Sequence, residues 1–401
     1  MAILSVNAGS SSLKFALYPL ADGEVRPALL TGVVQGLEPQ GQPELSWRAP
    51  GQAQQQQRRL PADAQDPFAM ALAQLRALLE GWRQADGAAL QLAAVAHRVV
   101  HGGRAHSRSR RVDAALLADL AALNSLAPLH QPHNLAGIRA FAQAFPQVPQ
   151  IACFDTAFHT TVPEVETRFA LPRELSEQGI RRYGFHGLSY QFIMASLQRH
   201  STRAQGRVLM AHLGNGASLC AAQAGRSCAT TMGFSALDGL MMGSRCGAID
   251  PGVLLYLLEQ GWDHDRLQAL LYKQSGLLGV SGLSADMRRL RAEAGEHAQQ
   301  AIGLFTHRVV RESGAMVACL QGLDVLAFSG GIGEHDAALR EQVCARLGWL
   351  GLRIDAALNA AACGDQVMAI HQAGSPIEVW VVPTDEGWVS AQEAARVLAG
   401  A

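Results

Sequence analysis

A strand–turn–strand pattern occurs twice in this chain, and it constrains the fold more than any other feature. Ala2 to Val6 is apolar and β-compatible, Asn7 to Ser12 reads as a turn of small polar residues, and Leu13 to Leu20 is apolar again. Far downstream, within Arg207 to Ala224, Val208 to Leu213 runs into Gly214-Asn215-Gly216 and continues through Ala217 to Ala222. Two such hairpins point to a duplicated domain, and 401 residues are enough for two domains.

Between and beyond the hairpins, strand and helix patterns alternate. Helical spacing of Phe68, Leu72, Leu75, Leu79 and Trp82 predicts a helix over Pro67 to Asp86, with Gly87 just past its end. Leu92 to Val100 and Gln150 to Phe154 read as strands. Further helices are expected from Asp113 to Asn124, Pro132 to Phe145, and over 188–199, 251–260, 264–273, 296–321 and 336–347. Strands are expected at Val325 to Phe328 and Ile377 to Val382, and a helix after Pro383. Residues 38–66, rich in Gln, Pro and Gly, read as an exposed connection. The fold class is therefore α/β, with helices covering sheets. A boundary near residue 150 divides the chain.

Composition narrows the function. The 33 basic and 34 acidic residues nearly cancel, which argues against nucleic-acid or anionic-membrane binding. Seven cysteines, none in a C-x-x-C spacing, argue against a disulfide framework or zinc ribbon and for a reducing compartment. The apolar start is short and lacks a basic flank, so no signal peptide is expected. No run of about 18 apolar residues could span a bilayer. A cytoplasmic protein is the expectation. Of the 33 basic residues, only Lys14 and Lys273 are lysine, which makes Lys14 conspicuous.

Polar clusters sit at predicted strand ends, where ligands gather in α/β sheets. Asn7-Ala-Gly-Ser-Ser-Ser-Leu-Lys14 offers backbone N–H groups, hydroxyls and one cation, which suits a phosphate or an ordinary small-residue turn equally. It is not a Walker A loop. His212 to Ser218 and Phe328 to Glu334 follow apolar strands in the same way. Arg98, ending an apolar strand, fits bidentate recognition of a carboxylate or phosphate, or a structural ion pair. Asp155 and Glu386 are candidate carboxylates for a Mg²⁺–nucleotide site. His186 and Arg245 lie in Gly-flanked loops, and His130 fits a packed loop position. Fourteen histidines invite a metal reading, but there is no H-E-x-x-H, and catalytic zinc is disfavoured. A serine hydrolase is disfavoured too, because G-x-S-x-G is absent.

Taken in order, these segments resemble the acetate kinases over nearly the whole chain. The blocks are NAGSSSLKF at 7–15, HRVVHGG at 97–103, LAPLH at 126–130, FDTAFH at 154–159, RRYGFHG at 181–187, HLGNGAS at 212–218, GLMMGSR at 239–245, SADMR at 284–288, GGIGEH at 330–335 and PTDE at 383–386. The resemblance implies two duplicated ribonuclease-H-like domains of the actin, Hsp70 and sugar-kinase superfamily, with nucleotide in an interdomain cleft. Residues 1–150 plus 385–401 would form the acyl-substrate domain and 151–384 the nucleotide domain. The implied reaction is reversible transfer of the ATP γ-phosphoryl group to acetate, giving acetyl phosphate and ADP, with Mg²⁺ (or Mn²⁺ in its place), by a homodimer.

The resemblance also implies site roles. Asn7 and Glu386 would hold the metal. Ser10, Ser12 and Lys14, with His212, Leu213, Gly214, Asn215 and Gly216, would form the two phosphate hairpins. Asp286, Met287 and Arg288, with Gly331, Ile332, Gly333, Glu334 and His335, would hold the adenosine end. Arg98 would grip acetate, while Val100, Leu129, Phe185 and Ala236 would wall its methyl pocket. His186 and Arg245 would stabilise the transferring group, and Asp155 would be the acidic catalytic residue.

The chain departs from the family pattern at Arg104, Leu188, Tyr190, Ala248 and Gly387, and at Ala236, where a pocket proline is usual. A smaller residue at 236 leaves room for propionate, so a propionate-preferring kinase is the near alternative. A non-catalytic ATP-binding module is the alternative of another class, but it would not need Arg98, Asp155, His186 and Arg245 together.

Overall fold

A computed structural model of the chain describes residues 1–9, 11–38, 41–52, 54–61, 66–82, 90–128, 130–293 and 295–400. Ser10 and Leu129 among the expected site residues, and Asp86 and Gly87 at the expected helix end, lie outside the described residues. The chain divides into two compact units, Met1–Ala157 with Asp385–Ala401, and Phe158–Thr384. The division falls later than residue 150 because Gln150–Phe154 pairs in parallel with Leu92–Val99 and completes the first sheet.

Among the described residues, the first unit holds a nine-stranded sheet. Ala2–Ala8 and Ser12–Ala21 form the expected hairpin, with Asn7 opposite Lys14 and Ala8 opposite Leu13. The strand thus runs two residues beyond Val6, and the turn is shorter than expected, closed by the Gly9 N–H on the Ser12 carbonyl (2.9 Å). Leu30–Gln35 joins the hairpin on its outer side, antiparallel, and Leu92–Val99 lies parallel to Ala2–Ala8 on the inner side. The expected connection over 38–66 is instead two strands, Glu44–Arg48 and Gln56–Arg59. Leu45 and Trp47 alternate into the core with Ser46 buried between them, while the polar strand Gln56–Arg59 is exposed throughout.

Two helical layers cover this sheet. Asp66 caps Pro67–Gly81 by accepting from the Ala69 N–H at 2.9 Å, with proline in the first turn. Leu72, Leu75 and Leu79 of that helix pack on Leu4, Val6, Leu13 and Phe15. Ala114–Ala121, capped by Asp113, and Gln131–Ala144 bury Leu116, Leu120, Leu135 and Ile138 against Val99 and Phe154. The first of these ends short of Asn124, where a separate 3₁₀ turn, Asn124–Leu126, begins. Each fully buried leucine contributes roughly 1.5–3 kcal/mol. The C-terminal helix Glu386–Leu398 packs on Ala2–Ala8 and Leu92–Val99.

The second unit repeats the strand order on its own residues. Arg226–Thr230, Ala217–Gln223, Arg207–Leu213, Val325–Ser329 and Glu378–Val381 lie side by side: two antiparallel pairings, then two parallel ones. The same sequence of pairings runs through Leu30–Gln35, Ser12–Ala21, Ala2–Ala8, Leu92–Val99 and Gln150–Phe154. The duplication expected from the hairpins is thus a duplication of the sheet. Helices Gly187–His200 and Glu296–Leu320 lie against this sheet. The Gly-rich segment after Val325–Ser329 is not a loop leading into a helix. It is itself the helix Gly330–His335, and Ala337–Arg346 follows it after a break at Asp336. Among the described residues, no helix is long and apolar enough to cross a membrane.

Candidate active site

In the first unit the charged residues gather beyond the parallel strands. Arg98 is the penultimate residue of Leu92–Val99, and Asp155 follows Gln150–Phe154 directly. The Asp155 N–H donates to the Val99 carbonyl at 3.0 Å, which carries the carboxylate alongside the neighbouring strand. Arg98 Nη2 donates to Asp155 Oδ2 at 2.7 Å, and Arg98 Nε reaches Oδ1 and Oδ2 at 3.2 and 3.1 Å. Glu386, the first residue of the C-terminal helix, places Oε2 at 3.4 Å from Arg98 Nε. The Asp155 side chain is 1 % exposed, whereas Arg98 and Glu386 keep 21 % and 22 %.

Burial works against the Arg98 charge, but Asp155 and Glu386 outweigh it and hold the guanidinium well above its ordinary pKa. Burial pushes the Asp155 carboxyl up, Arg98 opposes that push, and Glu386 adds to it. The structural ion pair expected of Arg98 is thus present, with Asp155 as its partner. Asp155 takes Nε and Nη2 of the fork, and Nη1 lies outside this pairing.

Asn7 belongs to the same corner. The register pairs Val6 with His97, so Asn7 and Arg98 are the next residues on adjacent strands. Asn134 ties the corner together: its Nδ2 donates to the Ala8 carbonyl at 2.9 Å and its Oδ1 accepts from the Val100 N–H at 3.0 Å. Gln131 does the same for His101, accepting from its N–H at 3.2 Å and donating to its carbonyl at 3.0 Å. Neither amide stood out in the sequence, because a polar residue in a helical pattern reads as solvent-facing. Val100 is buried, Lys14 is exposed, and Ser12 begins the second hairpin strand.

Position 387 explains one departure from the family pattern. The buried Tyr18 phenol donates to Asp385 Oδ1 at 2.7 Å, and that same oxygen accepts from the Trp388 N–H at 2.9 Å, capping the C-terminal helix. A methyl group on Gly387 would stand 2.6 Å from the Tyr18 oxygen, so a glycine is required while tyrosine holds Asp385. The cap in turn sets Glu386 against Arg98.

In the second unit the polar groups are imidazoles and hydroxyls. His212 lies near the end of Arg207–Leu213, opposite Ser218 across the hairpin. Its ring stacks on His186 with centroids 4.3 Å apart. A methyl group on Gly216 would lie 3.2 Å from His186 Nε2 and 3.8 Å from Arg245 Nη1, so both groups converge on the hairpin turn. Arg245 Nη1 donates to the Ala236 carbonyl at 3.0 Å, which ties position 236 to this arginine. Phe185 is buried and its carbonyl engages His159 Nε2 at 2.9 Å.

Beside this turn opens a cavity of about 810 Å³. Gly214, Asn215, Asp286, Met287, Arg288, Gly331, Ile332 and His335 line it, joined by Ala285, Arg291, Asp336 and Ala337. The Gly330–His335 helix reaches it by a close approach. Gly330 has φ +74°, and a methyl group there would be 2.8 Å from the Leu213 carbonyl oxygen. Leu213 itself is buried. Gly333 is buried away from the lining. Glu334 turns inward, where its Oε1 accepts from the N–H groups of Gly330 (2.8 Å) and Thr384 (3.2 Å), and burial raises its carboxyl. Behind the helix, the fully buried Arg340 donates to the Gly333 and Glu334 carbonyls at 2.9 and 2.8 Å and to Asn359 Oδ1 at 2.8 Å. Arg340 and the Arg291–Asp336 pair (3.0 Å) carried no recognisable motif.

Among the described residues, no group of three or more His, Cys, Asp or Glu side chains could hold a metal ion. Two of the fourteen histidines, at the close spacing His97/His101, are otherwise engaged: His97 bonds Gln150 at 2.8 Å, and His101 accepts from the Gly103 N–H at 2.9 Å. Asn7 and Glu386 offer an amide oxygen and a carboxylate. That donor set suits Mg²⁺, which takes one or two carboxylates and fills its shell with water and substrate phosphate.

Known proteins resemble this chain over nearly its whole length. The model of the Acetokinase family matches residues 2–392. The acetate kinase of Rhodopseudomonas palustris (strain ATCC BAA-98 / CGA009) is 47 % identical over 401 residues, covering 99 % of this chain and 98 % of that protein. The acetate kinase of Methylocella silvestris is 43 % identical, with 99 % and 98 % covered. Among solved structures, a propionate kinase from Francisella tularensis subsp. tularensis SCHU S4 superposes with TM-score 0.88 at 35 % identity, covering 98 % of each chain. The Porphyromonas gingivalis acetate kinase superposes with TM-score 0.86 at 34 % identity, covering 99 % of each.

Proposed function

The chain belongs to the acetokinase family, and from that premise we propose that it transfers the γ-phosphoryl group of ATP to acetate, reversibly, giving acetyl phosphate and ADP. The observation that carries this reading is the Arg98 fork, anchored on Asp155 and part-exposed beyond the parallel strands. Acetate is already ionised at neutral pH and needs no base. The obstacle is repulsion between a carboxylate and a polyphosphate. Arg98 receives the acetate carboxylate, and Asp155 orients Arg98 rather than moving a proton. Arg245 and His186 serve the equatorial oxygens of the transferring group, where charge develops. The cavity beside Gly214 and Gly331 has the size and backbone N–H supply for a nucleotide. Mg²⁺ held by Glu386 and Asn7 would neutralise phosphate charge.

We assign the acceptor side to the first unit and the nucleotide side to the second. Self-association into a homodimer is supported by helix Pro251–Glu259, none of whose residues is buried, with Leu255 63 % and Tyr256 59 % exposed. Sedimentation equilibrium tests it: a monomer at micromolar concentration contradicts it. Seven free cysteines support a reducing, cytoplasmic setting.

A hydroxylamine trap for acyl phosphate, run with ATP, Mg²⁺ and acetate, tests the activity. If the protein binds ATP yet forms no hydroxamate from any short-chain acid, the non-catalytic ATP-binding reading replaces this one. Ala236 in place of a bulkier ring favours a second reading, preference for propionate. The ratio of kcat/KM for the two acids decides it, and one methylene is worth only about 1–3 kcal/mol.

A further inference from the structure

His186 is held from behind by groups that the phosphoryl-transfer reading does not use. It precedes helix Gly187–His200 with φ 57°, a left-handed conformation unusual for a residue other than glycine. Its Nδ1 lies 2.9 Å from Ser218 Oγ, and the same oxygen lies 2.5 Å from the Tyr190 phenol. Tyr190 stands one turn along the helix, its N–H on the His186 carbonyl at 3.0 Å. Ser218 and Tyr190 are fully buried, and the His159 ring packs edge-on to Tyr190 at 5.6 Å. His212, stacked on His186, is tied by its own Nδ1 to Ser189 Oγ at 2.8 Å.

Counting protons leaves this chain of hydrogen bonds two directions, and the Tyr190 phenol, as donor or acceptor, selects between them. A serine hydroxyl has one proton to give and two lone pairs to receive with. Burial holds the Tyr190 phenol well above its ordinary pKa, so it keeps its proton. When the phenol donates to Ser218, the serine proton is left for His186 Nδ1. Nδ1 then accepts, and the imidazole hydrogen sits on Nε2. Nε2 is the atom that approaches the Gly216 turn, beside the Arg245 guanidinium. An N–H there offers a donor to an anion, whereas a bare lone pair would repel it.

We propose that Tyr190 and Ser218 form a relay that fixes His186 as its Nε2–H tautomer, aimed at the group being transferred. Both are positioning residues acting through His186. What Nε2 serves rests on the phosphotransferase reading; the tautomer does not. Tyr190 stands where the family pattern has histidine, so the relay is written in this chain's own residues.

The test is ¹⁵N NMR of the histidine-labelled protein, with His186 assigned by its loss in His186→Gln. The expected spectrum has a pyridine-type Nδ1 and a pyrrole-type Nε2. Ser218→Ala should abolish that pattern and lower kcat about tenfold or more, with KM for ATP and acetate within about twofold of wild type. Tyr190→Phe should act in the same direction, and Ser218→Thr, which keeps the hydroxyl, should restore kcat. A pyrrole-type Nδ1 in the wild-type protein overturns the proposal, as does wild-type kcat in a folded Ser218→Ala protein. The wild-type spectrum needs no substitution and no turnover. Failure of the hydroxamate assay would therefore sink the acetate reading and leave the relay to be judged by the spectrum.

Discussion

Three positions are topologically equivalent in the two sheets, and their residues differ in kind. In the first unit Asn7 faces Lys14 across the hairpin and adjoins Arg98 on the parallel strand. In the second, His212 faces Ser218 and pairs with Ser329. One copy of the scaffold thus ends in a guanidinium clamped by carboxylates, the other in imidazoles and hydroxyls beside a large cavity. On the proposed reading the duplicated sheet supplies a place for ligands, and the residues at that place decide which ligand. An acceptor carboxylate wants a fixed cation, and a nucleotide wants room, backbone N–H groups and neutral donors.

If that division holds, the sharpest break is Arg98→Ala. Its loss leaves Asp155 buried beside Glu386 with the guanidinium gone, so the expected cost is about 2 kcal/mol or more of stability. Acetate KM should rise steeply. A urea titration and an acetate saturation curve check both, and unchanged values would show that the first unit's charges are idle. Arg245→Ala should behave differently. Among its contacts Arg245 bonds the Ala236 carbonyl and the Met242 thioether, which are neutral acceptors, so its removal leaves no buried carboxylate among these partners uncompensated and should cost less stability than that of Arg98. The kcat should drop roughly 10²–10³-fold with acetate KM little changed. Similar KM effects in both variants would erase the distinction.

A smaller effect is expected from Gly330→Ala, which opposes a left-handed φ and a carbonyl contact at the cavity. It should cost about 1–3 kcal/mol and raise the KM for ATP more than that for acetate. Isothermal titration with a non-hydrolysable ATP analogue would measure the binding part directly.

Acid should separate the units most gently. Burial lowers the pKa of His97, His101 and His159 to about 4 from an ordinary 6.5. The folded protein keeps these rings neutral, while the unfolded chain takes up protons as pH falls through 6.5. Stability is therefore full above that pH and declines towards pH 4. Each ring accounts for about 1.4 kcal/mol per tenfold loss of proton affinity on folding. Two of the three rings lie in the first unit, so hydrogen exchange at pH 5 should rise there first. Faster exchange in the second unit would contradict this.

Some of this could be read from residue order alone. Apolar alternation and helical spacing marked most strands and helices, and the repeated hairpin announced the duplication before any pairing was seen. The order of short motifs named the family. The strands at Glu44–Arg48 and Gln56–Arg59 escaped, because seven of their nine residues are polar and Gln56–Arg59 is exposed throughout. Arg340 escaped because a lone arginine in a helix gives no sign that five of its hydrogen bonds run to buried oxygens.

What the order of amino acids determined by itself was periodicity, turn chemistry and motif identity, since these depend on neighbours along the chain. What the tertiary structure decided was partnership: Arg98 on Asp155, Tyr18 on Asp385, Tyr190 and His186 on Ser218. Those pairs join residues far apart in sequence. A hydrogen bond tolerates only a few tenths of an ångström, and strand register, not sequence spacing, sets distances that fine.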